Sequence, residues 1–324
     1  MFYSPLKIAS IGLVLGLLGT AHAQDFPTKP VRILTPFPVG SGPDGIARLM
    51  ADKLSRAWGK PVVVENRPGG NGFVAIDAFK RGATDGYDLI QLDNVHLTAY
   101  PHLMKKLPYY PAKDFDPILP LFKAYFFATT AKTGPYKTLG DLIADAKARP
   151  GQLNYGSWSV GNPVHLGTAR LAAATGTDMV HVIYKETTQL YTSVATGELS
   201  FALGSSGSTN ALYRSDKLRY LAVAAPKRLA AFPEVPTFAE AGGPPNLEIS
   251  GWTTLAAPPN LPPAVREKLR ADIEKALAEP TVQEKFTAFG YVPFPAPQGG
   301  FPRYIQDESA AMAEVIRATR SSLD

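Results

Sequence analysis

The sequence contains no cysteine among its 324 residues. This absence excludes a disulfide framework, a thiol nucleophile, a cysteine-ligated zinc or iron–sulfur centre and a lipid-modified N-terminal cysteine. It also lacks a long basic run, because lysines and arginines are scattered among acids, so we expect no nucleic-acid partner. With 45% hydrophobic and 19% charged residues the chain is an ordinary globular protein, and its length is typical of two domains.

No segment is apolar over the roughly 20 residues that a membrane-spanning helix needs. The N-terminus instead has the features of a signal peptide. Lys7 supplies a positive charge, residues 8–18 form an apolar run, and Ala21-His22-Ala23 matches a cleavage pattern. We therefore expect residues 1–23 to be a signal peptide, cleaved after Ala23, on an exported protein.

Strand-like and helix-like segments alternate along the first third of the mature chain. The predicted strands lie at 31–34, 61–65 and 87–92, and the predicted helices at 46–58 and 71–80. This β-α-β-α-β order is typical of a parallel sheet whose ligand-binding loops follow the carboxyl ends of its strands.

A second series begins near residue 125. The predicted strands lie at 125–127, 153–155, 179–184, 199–203 and 218–224, and helices are predicted to begin after Thr138, Asn162 and Glu186. Beyond residue 225 the pattern changes, with a short helix at 237–241, an extended segment at 247–256 and helices at 263–278 and 302–318. These features predict an α/β protein with two βαβ-type lobes and a cleft between them.

A glycine-rich loop follows the first predicted strand. It reads Gly40-Ser41-Gly42-Pro43-Asp44-Gly45, which matches the dinucleotide-binding pattern G-x-G-x-x-G. Five residues separate the strand from the first glycine, so the tight turn of a dinucleotide site is missing, and such a site is disfavoured. We predict that Asp44 is the N-cap of the following helix, and that the helix N-terminus attracts an anion.

The second series has a corresponding loop, Ser157-Trp158-Ser159-Val160-Gly161-Asn162, before a helix. Asn162 is the predicted N-cap and Pro163 the first helical residue. Candidate enzyme motifs are incomplete. Gly204-Ser205-Ser206-Gly207-Ser208 lacks the closing glycine of G-x-S-x-G, and the histidines form no zinc motif.

Several motifs occur together along the whole mature chain. They are Lys29-Pro30-Val31-Arg32-Ile33, Pro36-Phe37-Pro38-Val39-Gly40, Val62-Val63-Val64-Glu65-Asn66-Arg67-Pro68-Gly69, Asp85-Gly86-Tyr87, Leu153-Asn154-Tyr155-Gly156-Ser157 and Pro233-Glu234-Val235-Pro236-Thr237. In this set and order the chain resembles the Bug-type periplasmic receptors of tripartite tricarboxylate transporters.

The resemblance implies a bilobal, type II periplasmic-binding-protein-like fold. Lobe 1 would comprise residues 24–122 plus 252–295, lobe 2 residues 123–251, and residues 296–324 a C-terminal helix packing back on the lobes. It further implies a receptor that closes on a small organic acid and delivers it to a membrane permease. No catalytic residue, cofactor or metal is expected, and we expect a monomer.

The ligand-binding residues implied by the resemblance come from both loops and from two later positions. They are Phe37, Val39, Gly40, Ser41, Gly42, Asp44, Ser157, Trp158, Ser159, Gly161, Asn162, His165, Glu186, Gly204 and Ser205.

The sequence departs from the family pattern at two of these positions. Tyr184-Lys185-Glu186 replaces the usual Tyr-Lys-Gly, and Gly204-Ser205-Ser206 replaces an acidic residue or Asn. Glu186 either lines the cleft, which would disfavour a second carboxylate, or is a solvated residue at a helix start. Trp158 either offers a flat face to the ligand or packs in the core. An exported dinucleotide oxidoreductase or serine hydrolase remains the alternative function.

Overall fold

The computed structural model describes residues 26–82, 84–295, 297–319 and 321–323. The predicted signal peptide and its cleavage site lie outside these residues. The strands are β1 (Val31–Thr35), β2 (Val62–Asn66), β3 (Asp88–Asp93), β4 (Asp116–Ala131), β5 (Asn154–Ser157), β6 (Val180–Ile183), β7 (Ala202–Ser205), β8 (Leu218–Val223), β9 (Ser250–Ala257) and β10 (Tyr291–Val292).

Helices flank these strands. They are α1 (Gly42–Trp58), α2 (Phe73–Lys80), α3 (Tyr100–Leu103), α4 (Pro111–Asp114), α5 (Leu139–Ala148), α6 (Pro163–Thr175), α7 (Thr187–Thr196), α8 (Ser206–Arg214), α9 (Pro263–Leu277), α10 (Pro280–Phe289) and α11 (Phe301–Thr319). A 3₁₀ turn, Gly70–Gly72, precedes α2, and a π-helical turn, Val95–Ala99, precedes α3.

The first lobe is a sheet in the order β2-β1-β3-β9-β4-β10 with α1, α2, α9 and α10. Strands β1, β2 and β3 are parallel, whereas β9 runs antiparallel to β3 and to β4. Because the parallel strands are joined by helical crossovers, the loops after β1, β2 and β3 lie at one edge of the sheet.

The second lobe uses the other half of β4. From Phe126 onward β4 lies between β7 and β8 and is antiparallel to both. Strands β5 and β6 are parallel to each other, and a bridge between Tyr155 and Phe201 joins β5 to the segment that leads into β7. The resulting order, β6-β5-β7-β4-β8, repeats the arrangement of the first lobe, in which an antiparallel strand also follows three parallel ones.

Apolar side chains cover both faces of the first sheet. Met50 and Leu54 of α1 pack with Leu269 and Ile273 of α9 on one face. On the other face α2 packs against Trp252 of β9 in a separate cluster. The first lobe is therefore a three-layer α/β structure, in which each helix buries one apolar stripe.

The C-terminal helix α11 contacts elements of both lobes. Glu308 accepts hydrogen bonds from Trp252 Nε1, at 2.6 Å, and from Asn94 Nδ2, at 3.0 Å. Further along the helix, Ile316 packs in one apolar cluster with Leu103 of α3 and Leu166 of α6. Leu103 belongs to the predicted first lobe and Leu166 to the predicted second lobe. The predicted lobe boundaries stay a prediction, and both fall inside the continuous strands β4 and β9.

Most predicted strands and helices are found, but several elements differ from the prediction. The strand predicted at 125–127 is the sixteen-residue β4, because its first half pairs with β9. The prediction of a helix at 237–241 is wrong. Thr237 and Glu240 form the reciprocal hydrogen bonds of a helix start, but Gly242 has a φ of 81° and the helical segment ends after one turn. Helices α4, α8 and α10, strand β10 and the helical segment from Val95 to Leu103 were not predicted. Among the described residues, no helix combines the length and hydrophobicity that a membrane crossing requires.

We expect Trp252→Phe to lower the free energy of unfolding by about 2 kcal/mol, because it leaves a cavity and removes one donor to Glu308. Urea unfolding followed by circular dichroism measures the loss. His102→Ala is the control, since it removes an exposed hydrogen bond to Ser309 on the same helix and is expected to cost less than about 0.5 kcal/mol. Equal losses in the two variants would contradict the prediction.

Candidate functional site

The first loop, residues 37–44, connects β1 to the N-terminus of α1. Ser41 is the N-cap of α1, and its Oγ accepts a hydrogen bond from the Asp44 N–H at 3.4 Å. The prediction that Asp44 is the N-cap is therefore wrong. Gly40 has a φ of 81°, a conformation that L side chains rarely adopt, and Gly42 and Pro43 open the helix.

Asp44 is 1% exposed and lies beneath the first loop. Its carboxylate accepts hydrogen bonds from the Gly40 N–H at 2.8 Å, from Asn66 Nδ2 at 2.7 Å and from Arg48 Nε at 3.1 Å. Burial opposes ionisation, but the bonds from Asn66, Gly40 and Arg48 outweigh it, so the pKa of Asp44 lies below its usual value. Asp44 is thus ionised, the three donors offset its charge, and its hydrogen bonds hold the loop in place.

The remaining first-loop residues differ in exposure. Val39 is 72% exposed, and Gly40 has no neighbouring atom where a Cβ would stand. Phe37 is half-buried, and its carbonyl accepts a hydrogen bond from Asn66 Nδ2 at 2.9 Å. Asn66, at the end of β2, therefore holds both Phe37 and Asp44.

The second loop, residues 157–162, is held by Asn162. The prediction that Asn162 caps α6 is confirmed: its Oδ1 accepts from the Val164 and His165 N–H groups at 2.8 and 3.0 Å. Its Nδ2 donates to Ser157 Oγ at 3.0 Å and to the Ser159 carbonyl at 2.5 Å. One amide side chain thereby closes the loop.

Two histidines lie against this loop. His165 is 9% exposed, and its Nδ1 accepts the Gly161 N–H at 3.1 Å. Its ring centroid is 4.4 Å from that of His181, whose Nε2 is 2.7 Å from Ser157 Oγ. Burial, together with His181, lowers the pKa of His165 from 6.5 to about 4, and burial also lowers the pKa of His181. Both rings are therefore neutral at pH 7.

The sequence allows two interpretations for Trp158 and two for Glu186. Trp158 is half-buried and packs between two apolar clusters of the second lobe, which favours core packing. Glu186 is exposed as the N-cap residue of α7 and makes no side-chain capping bond. This placement favours a solvated residue at a helix start.

The segment after β7 forms the start of a helix that the sequence did not predict. Gly204 is buried in β7, where a Cβ would lie 2.6 Å from Thr209, and Ser205 is the N-cap of α8. Ser206 is 2% exposed, and its hydroxyl donates to the carbonyl of Phe289 in the first lobe. The serine of the incomplete G-x-S-x-G motif thus joins the two lobes. A run of serines after a strand is a helix N-cap signal.

Tyr291 of β10 lies between the first loop and α8. A Cβ built at Gly42 would be 2.0 Å from Tyr291 Oη, and one at Gly207 would be 2.9 Å from it. The N-termini of α1 in the first lobe and α8 in the second therefore converge on one hydroxyl. The sequence analysis missed Tyr291 because no motif surrounds it and because it lies 249 positions after Gly42 in the sequence.

The structure thus brings the predicted residues together in two groups. The first loop approaches the start of α8 at Tyr291, whose hydroxyl lies against Gly42 and Gly207, whereas the second loop meets α3, since a Cβ on Gly161 would lie 2.3 Å from Leu103. Among the described residues there is no cluster of three or more His, Asp or Glu able to hold a metal ion. A cavity of about 380 Å³ lies elsewhere, lined by the first half of β4 together with α9 and α10.

Comparison with known proteins identifies the family. The model of the tripartite tricarboxylate transporter family receptor matches residues 46–320. The chain belongs to this receptor family. The protein BugT of Bordetella pertussis is 31% identical, over 98% of each chain. The resemblance predicted from the sequence motifs is therefore confirmed.

Two solved structures of related receptors contain acids. The Rhodopseudomonas palustris protein Rpa4515 with adipate has a TM-score of 0.82 and 28% identity, over 90% of this chain and 97% of that one. MatC from the same organism, with bound malate, has a TM-score of 0.77 and 26% identity, over 90% and 100%. The predicted bilobal α/β fold is confirmed by these matches.

We expect Gly42→Ala to destabilise the protein by about 1–3 kcal/mol, because the new methyl group collides with Tyr291 Oη. The loss should be smaller in a Tyr291→Phe background, where the nearest ring atom stands 3.1 Å away. A double-mutant cycle by urea unfolding measures this coupling. Gly45→Ala, on the same helix with its nearest contact at 3.4 Å, is the control and should cost little. Identical losses for Gly42→Ala in both backgrounds would contradict the contact.

Because folding depresses the pKa of His165 to about 4, the unfolded chain takes up a proton there near pH 6.5 and the folded protein does not. Stability should therefore fall as the pH drops from 6.5 toward 4, by about 3 kcal/mol at most from this residue. His165→Asn keeps an acceptor for Gly161 and removes the titration, so its urea-unfolding free energy should vary less over this range. The same pH dependence in both proteins would show that His165 does not titrate this way.

Proposed function

We propose that this protein is a periplasmic receptor that binds a small organic acid in the cleft between its lobes and delivers it to a tripartite tricarboxylate-type permease. The observation that carries the proposal is the convergence of two helix N-termini, one from each lobe, beside the first loop. Helix N-termini attract anions because their free N–H groups and the helix dipole point toward the ligand.

The charges around the first loop support an anionic ligand. Asp44 is the acid beneath this loop, and its carboxylate is occupied by donors from Gly40, Asn66 and Arg48. The acid therefore leaves little uncompensated negative charge to repel a ligand. Neutral dipoles bind a carboxylate without a buried counter-ion, which favours release to a partner.

The related receptors support the class of ligand. Rpa4515 holds adipate and MatC holds malate, both dicarboxylic acids. For this chain we propose the same class, with the first loop, the second loop and the start of α8 around the ligand and Glu186 in solvent. We further propose residues 24–122 plus 252–295 and 123–251 as the two lobes, cleavage after Ala23, a monomer, and no catalytic step.

A thermal-shift screen of the mature, ligand-stripped protein tests the proposal. The panel contains adipate, malate, citrate, acetate, benzoate, an amino acid and NAD. At a thousandfold excess over Kd, binding adds about 4 kcal/mol, enough to raise Tm by several degrees. Shifts confined to organic acids, with the acid recovered unchanged, are expected. A shift with NAD alone, or consumption of the acid, would favour the enzyme alternative.

We expect Ser205→Asp to weaken acid binding at least tenfold, because it places a negative charge at the N-terminus of α8. The stability of the free protein should be kept or raised, since Asp is a favourable N-cap. Isothermal titration calorimetry and thermal unfolding give the two quantities. Ser215→Asp adds the same charge at the C-cap of α8 and is the control for net charge. Equal affinity in wild type and Ser205→Asp would remove α8 from the ligand site.

A further inference from the structure

The N–H groups at the start of α6 are already used within the protein. Asn162 Oδ1 accepts those of Val164 and His165, and His165 Nδ1 accepts that of Gly161. A carboxylate arriving at the second loop would have to displace these bonds. The second loop therefore offers fewer main-chain donors than its place before a helix suggests.

The start of α8 differs from the start of α6. Its N-cap, Ser205, makes no side-chain capping bond, and Ser205 Oγ instead lies 3.3 Å from Ser208 Oγ. No N-cap side chain therefore occupies the first-turn N–H groups of this nine-residue helix. Gly207, in that first turn, lies against Tyr291 Oη.

Tyr291, a largely buried residue, places its hydroxyl at this point. The residue is 6% exposed, and no residue in the part of the chain that the structure describes shares a hydrogen bond with its Oη. This oxygen is not one of the fully buried, unpartnered polar atoms of the described residues, so a ligand can reach it and the hydroxyl is free to donate. Burial raises the pKa of Tyr291, so the group keeps its proton at neutral pH and acts as a donor.

The position of this hydroxyl is fixed by packing. The ring of Tyr291 stacks on Phe122 of β4, with the ring centroids 4.2 Å apart and the ring planes inclined by 6°. Its centroid also lies 5.6 Å from that of Phe289. Main-chain pairing of Tyr291 with Ala124 anchors β10 to β4. A donor held in this way loses little side-chain entropy when a ligand binds.

Resting on the proposed function, we propose that Tyr291 donates a hydrogen bond to a carboxylate oxygen of the bound acid, which lies between the N-termini of α1 and α8. The contact joins a residue of the first-lobe core to a helix of the second lobe. The Ser206 bond to Phe289 holds the two lobes at this place. Tyr291 is thus a ligand-binding and specificity-determining residue supplied by the C-terminal part of the chain.

Tyr291→Phe tests this assignment because it removes only the hydroxyl. The titration uses whichever acid of the panel gives the largest thermal shift with wild type. Affinity is expected to fall about tenfold to a hundredfold, the effect of losing a hydrogen bond to a charged group. The Tm of the free protein should not fall, because the hydroxyl bonds to no described residue.

Tyr136→Phe is the reciprocal control. Its hydroxyl donates to Asp145 Oδ2 at 2.7 Å, so its loss should lower Tm and leave acid affinity unchanged. If wild type binds an acid and Tyr291→Phe binds it equally well, the assignment of Tyr291 is wrong and the receptor function stands. A lowered Tm with unchanged affinity would show a structural role and also overturn it. If wild type binds no acid, the proposed function itself fails.

Discussion

The antiparallel pairing of β4 with β9 is the constraint on which the rest of this structure depends. The two strands pair from Asp116 opposite Ala257 to Tyr125 opposite Ser250, and β4 then continues between β7 and β8. A single strand therefore belongs to both sheets. Its main-chain hydrogen bonds fix where the lobes meet, because a slip of one residue would turn every buried side chain of β4 to the other face.

The functional site follows from this junction. Strand β10 pairs with β4 just before the change of partners, and β7 pairs just after it, so Tyr291 and the start of α8 become neighbours. The glycines at these contacts are required by distance, since a Cβ on Gly42 or Gly207 would lie within 3.0 Å of the tyrosine hydroxyl. The site thus combines a rigid aromatic donor with two helix N-termini.

Charge is handled differently on the two sides of the site. In the first loop an ionised carboxylate, Asp44, is buried but satisfied by three donors, and it sets the path of the backbone. In the second loop the hydrogen bonds of two neutral histidines and Asn162 set the path of the backbone without an ionised group. Acid pH therefore acts on the second loop through protonation of a buried imidazole, whereas the first loop keeps its geometry until Asp44 itself is protonated.

Much of the fold was predictable from local patterns. The alternation of strands and helices, the capping box at Thr138 and Asp141, and the Asn162-Pro163 helix start all depend on residues close together in the sequence. The role of Asp44 was not predictable in this way. Asp at the start of a helix is a common N-cap, and only the approach of Asn66 and Arg48 shows that its carboxylate faces inward. The capping signal at Thr237 was misleading because local propensity cannot weigh a cap against the glycines that follow it.

The sequence by itself determined the family, the α/β class and the two loops before helices. These depend on the local spacing of apolar and capping residues and on motifs that follow one another in order along the chain. Only the tertiary structure decided which donors remain for a ligand. The N–H groups of the second loop are consumed by its own side chains, and the hydroxyl that faces the first loop comes from Tyr291, 249 residues away in the sequence. Such proximity is set by the pairing of β4 with its neighbours, and long-range strand pairing leaves no mark in the local sequence of either partner.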